Sequence, residues 1–157
     1  MTLRTFVLFL HVMVAILAFG PTFVFPFIGA AGGKELEHGN FALRLSVTIG
    51  TRLVIPLAVA MPLLGLWLIF LGDWDLWSSE WLVISIGIYI VTFFFAVLVL
   101  NRTGRKLVHM TAGPPPKGAG GPPPEMQRLV KRQKLGGMFT ALAVASIVLL
   151  MVWKPDW

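Results

Sequence analysis

LRTFVLFLHVMVAILAFGPTFVFPFI, residues 3 to 28, holds one cation, one imidazole and two threonines among side chains that are otherwise apolar or small. A helix needs about 20 mostly apolar residues to cross ~30 Å of hydrocarbon, and this stretch exceeds that. Arg4 followed by an apolar run imitates a secretory leader. The run is too long for a leader core and contains Pro21 and Pro26, so it reads as a retained spanning helix. Working outward, three further segments qualify, at about 53–71, 81–100 and 135–153. The chain has 157 residues, of which 57% are hydrophobic and only 13% charged, and its mean hydropathy is +0.83. Such a composition lacks the polar surface of a soluble enzyme, a nucleic-acid binder or a disordered tail. The fold expected is all-α, a polytopic four-helix bundle forming one membrane domain over 1–157. With no cysteine there is no disulfide framework and no thiolate chemistry.

Charge sets the expected orientation. Lys34, Arg44 and Arg52 lie before or at the start of the second span, and eight more basic residues lie between the third and fourth. Only Arg4 and Lys154 fall on the other side. Basic residues collect on the cytoplasmic face, so both termini are expected outside the cytoplasm. Asp73, Asp75 and Glu80 then occupy a short external loop with Trp74, Trp77 and Trp81 as interfacial aromatics; Trp153 and Trp157 join the same belt. The cytoplasmic connector at about 113–124 has two triple-proline runs around KGAGG, stiff arms about a flexible centre. A helix is expected to restart at Pro124, where proline and Glu125 suit a first turn. The basic cluster Arg128, Lys131, Arg132 and Lys134 would then meet anionic headgroups at the membrane surface.

In hydrocarbon a polar side chain finds no partner, so the few at depth are informative. His11 lies about 10 Å below the outer end of the first span, on a stripe with Ala15, Ala18 and Thr22 that should face the other helices. Ser85, Tyr89, Thr92 and Ala96 form a similar inward face in the third span. Tyr89 lies about 12 Å deep, near enough in level for a hydrogen bond to His11. Gly137, Ala141 and Ala145 form a close-packing ridge in the fourth span, and Pro56 and Pro62 should kink the second, where Gly65 allows close approach. A buried neutral imidazole either bonds a neighbour such as Tyr89 or ligates metal or haem iron, with Met151 or Met61 as softer second ligands.

The segments LHVMVAILAFGPTFVFPFIG, RLVIPLAVAMPLLGLWLIF and IVLLMVWKP resemble the bacterial predicted integral membrane proteins of domain-of-unknown-function family 2269, over nearly the whole chain. A more distant similarity is to the four-helix, haem-b-containing protoporphyrinogen oxidases and to copper-resistance membrane proteins of the D type. It implies a haem ligand at His11 and a matching position at Lys154. Those oxidases continue the first-helix aromatic stretch with an arginine and a second histidine, where this chain has Phe27, Ile28, Gly29, Ala30 and Ala31.

Paired carboxylates, a nucleophile beside a base and a phosphate-cradling glycine loop are all missing from the spans. The expectation is a small multi-pass protein of the bacterial inner membrane, an accessory or structural subunit packed against a larger complex. Its partners are the bilayer, anionic headgroups and other membrane subunits. The alternative is a haem b-binding redox protein with His11 as axial ligand.

Overall fold

The structure, a computed structural model, describes residues 2–34, 38–72, 79–113 and 121–154. The triple-proline connector at 114–120, the acidic tryptophan loop at 73–78 and Trp157 lie outside the described residues. Helices account for all the regular structure among them, and four are long and apolar enough to cross a membrane: α1 (Leu3–Lys34), α2 (Gly39–Gly72), α3 (Glu80–Met110) and α4 (Pro124–Trp153). Each is longer than hydrocarbon requires, because hydrophobicity marks where a helix crosses lipid but not where it stops. Arg52 and Arg102 bound the apolar windows, yet the backbone stays helical past both.

Pattern explains the inward faces. In α1, Ala18 and Thr22 are buried and His11 and Ala15 half-buried, as the small-residue stripe requires. In α3 the row Ser85, Tyr89, Thr92, Ala96 continues through Thr103 to Leu107, each buried or half-buried. Trp81, expected in an interfacial belt, is instead buried at the first turn of α3. The Lys154 ammonium stands 5.7 Å from its ring centroid, tying the end of α4 to the start of α3. The α4 ridge also differs from expectation. The buried row is Gly136, Thr140, Ala143, Val144 and Ile147, one residue off Gly137, Ala141 and Ala145. Gly136 is the reason: a Cβ there would strike Leu100 and the Phe95 ring, whereas a Cβ at Gly137 meets nothing within 4 Å.

The helices pack around a ring. α1 lies along α2, the first turns of α2 meet the last turns of α3, α3 lies against α4, and α4 returns to α1. Asn40 fixes one corner, its side-chain amide donating to the Val108 carbonyl at 3.0 Å and to Thr111 Oγ1 at 2.8 Å. Both middle helices contain a π-type turn, at Gly50–Val54 in α2 and Ala96–Leu100 in α3. The first immediately precedes Pro56, which has no N–H to return to the preceding turn. Thus the first turn of α1, the 79 end of α3 and the 154 end of α4 share one end of the bundle, here called the termini end; the other is the connector end.

Candidate functional site

The polar interior is built on a proline. Pro62 cannot donate to the carbonyl four residues earlier, so the Ala58 oxygen loses its helical partner inside an apolar span. Tyr89, on the inward row of α3, donates its hydroxyl to that oxygen. This corrects the expected pairing with His11: the freed carbonyl is the acceptor that most lacks a donor, and it captures the tyrosine. The Tyr89 ring also stacks on Phe93, with centroids 6.1 Å apart and planes inclined by 16°.

His11 sits instead against α2. Its Cε1 would be 3.3 Å from a Cβ at Gly65, so the ring occupies the space that glycine leaves. Its Nδ1 is buried with no hydrogen-bond partner. By helix rise, Gly65 and Ala58 are about 10 Å apart along α2, which separates the two polar residues by depth. Met151 lies half-buried near the end of α4, about 9 Å nearer the termini end than His11 on the same measure. Lys154 ends α4 in the left-handed conformation, φ 46°, its N–H closing on the Leu150 carbonyl while its ammonium covers Trp81. The four positions singled out in the sequence as a cofactor set are therefore spread over the termini half of the bundle, not gathered at one point.

Three further interior hydroxyls turn back on their own helices. Ser85 donates to the Trp81 carbonyl at 2.7 Å, Thr103 to Val99 at 2.7 Å and Thr140 to Gly136 at 2.9 Å. Thr92 differs, buried with no partner for Oγ1. Among the described residues no three His, Asp or Glu side chains are grouped closely enough to hold a metal ion.

At the connector end, Arg128, Lys131 and Arg132 fall on one face of α4, and none has an ion-pair partner among the described residues. Lys134, two residues beyond Arg132, points about 200° away. Glu125, in the first turn of α4, pairs with Lys106 of α3, whose hydrogen bond and charge hold its carboxyl below the ordinary value. Sequence reading missed the Tyr89 acceptor and the Asn40 tie. Pro62 was a signal for the first, since a proline at depth always leaves a carbonyl to be satisfied.

The family model described as predicted integral membrane protein (DUF2269) matches residues 5–155. No curated protein and no solved structure matches the chain.

Proposed function

The chain belongs to the predicted integral membrane protein family DUF2269, and from that premise we propose that it is an accessory or structural subunit of the bacterial inner membrane, packed against a larger complex. The use of its interior hydroxyls carries this reading. Tyr89, Ser85, Thr103 and Thr140 all donate to main-chain carbonyls. A catalytic site keeps such groups aimed at substrate with a base beside them; here Tyr89 ties α3 to α2 and the other three are taken up by their own helices. Eleven basic residues on the connector side support a cytoplasmic connector and external termini. The outward faces present Phe9, Ile16, Phe27, Leu63 and Phe70, suited to lipid and to neighbouring spanning helices alike. Extraction of the tagged protein from its native membrane into polymer-bounded discs tests this. A second polypeptide in fixed stoichiometry is expected, and a homogeneous particle of this chain alone would contradict it.

Haem b on His11 has one observation in its favour, the unpartnered Nδ1. Two features weigh against the group. An axial imidazole nitrogen must face a slot wide enough for a flat macrocycle, and the Cε1–Nδ1 edge that carries the unpartnered nitrogen lies against the α2 backbone at Gly65. The second histidine of the oxidases has no equivalent in the stretch from Phe27 to Ala31. Protein purified after expression with ample haem is expected to show no Soret band. A band that His11→Ala abolishes would reinstate haem.

A further inference from the structure

On its α3 side, α4 carries a single stripe that changes character along its length. At the connector end the stripe opens on Arg128, Lys131 and Arg132, and Phe95, Leu135 and Phe139 form the floor of an open groove of about 470 Å³ behind them. Phe139 also begins a second groove of about 490 Å³, which runs toward the termini end between Leu142 and Ser146 on α4 and Gly87, Val91 and Thr92 on α3. The two therefore join end to end. From Leu135 to Ser146 the apolar part rises about 16 Å, close to the about 15 Å depth of one leaflet of hydrocarbon. A charged mouth followed by an apolar trough one leaflet deep has the shape and polarity of one phospholipid.

We propose that this α3/α4 groove is a binding site for a single anionic glycerophospholipid, with its phosphate among Arg128, Lys131 and Arg132 and an acyl chain along Phe139, Leu142 and Val91. Charge complementarity selects the occupant. The three cations have no ion-pair partner among the described residues, and Glu125, the acid nearest to them in sequence, is engaged by Lys106. Such a mouth at headgroup level favours a net negative lipid over a zwitterionic one. The proposal rests on the bilayer-embedded reading above but not on a partner subunit, so particle size there and lipid retention here fail separately.

Two neighbouring residues separate a site from general surface charge. Lys134 carries the same charge as Arg132 at almost the same depth but faces away from the groove. Gly87 lines the trough, and a Cβ there meets nothing within 4 Å, so a side chain at this position fills the trough without disturbing the helix. The test is native mass spectrometry of the full chain titrated with phosphatidylglycerol and with phosphatidylcholine of the same acyl chains. One phosphatidylglycerol per chain is expected, retained about tenfold or more tightly than phosphatidylcholine. R128Q/R132Q should weaken it by about tenfold or more, with K134Q unchanged. G87L, which keeps every charge, should weaken it as well and decides the matter if the double variant does not fold. Equal retention of both lipids, equal loss in K134Q, full retention in G87L, or displacement of the lipid by millimolar inorganic phosphate would each overturn the proposal.

Discussion

Tyr89 and Pro62 are one unit energetically although they lie on different helices. Removing the phenolic hydroxyl leaves the Ala58 carbonyl without a donor inside the bundle, a loss of about 1–3 kcal/mol. Tyr89→Phe should therefore lower the unfolding free energy by that amount. In a Pro62→Ala background, where residue 62 regains its N–H, the same change should cost much less, and a double-mutant cycle on the detergent-solubilised protein measures the difference. Equal costs in both backgrounds would mean that the hydroxyl does something other than replace the missing N–H. His11 predicts the opposite sign. Its Nδ1 is buried and unpartnered, so His11→Leu removes an unsatisfied polar group of similar bulk and should leave thermal stability unchanged or raise it. A marked fall in midpoint would reveal a ligand on the imidazole.

At the level of elements, the α3–α4 contact depends on which glycine faces the partner. Gly136→Ala drives a Cβ into Leu100 and Phe95 and should cost about 1–3 kcal/mol. Gly137→Ala meets open space and should gain up to about 1 kcal/mol from helix propensity. Thermal melts of the two variants, one residue apart, distinguish them. The inward faces of α1 and α3 were legible in the sequence because single polar residues, His11 and Thr22, Ser85 and Tyr89, recur at helical spacing among large apolar side chains. The face of α4 was not, because GGMFTALA offers two small-residue rows a residue apart. Only Phe95 and Leu100 on another helix choose between them, and Tyr89 likewise shows its acceptor only once α2 and α3 are side by side. Across the connector, Glu125 has a lowered carboxyl pKa, so the stabilisation from its Lys106 pair is present above the ordinary value of 4.5 and is lost as pH falls through the folded value. E125Q should accordingly differ from the parent at pH 7 and converge on it in acid, a difference that salt suppresses because both groups are exposed.

For the whole molecule, four long apolar helices with the basic residues gathered at one end leave little freedom in how the chain meets a bilayer. An even number of crossings puts Thr2, Ser79 and the end of α4 on one side and Gly113 on the other. On the orientation proposed above from the charge asymmetry, Gly113 lies in the cytoplasm. The bonds from interior hydroxyls to backbone, the grooved α3–α4 face and its basic mouth all take their meaning from that placement. Because the chain has no cysteine of its own, single cysteines report it without background. The most direct measurement is labelling of Thr2→Cys, Ser79→Cys and Gly113→Cys with a membrane-impermeant maleimide in intact spheroplasts. The account predicts that the first two are labelled at once and Gly113→Cys only after the membrane is permeabilised. Labelling of Gly113→Cys in intact spheroplasts, or protection of either of the other two, would contradict it.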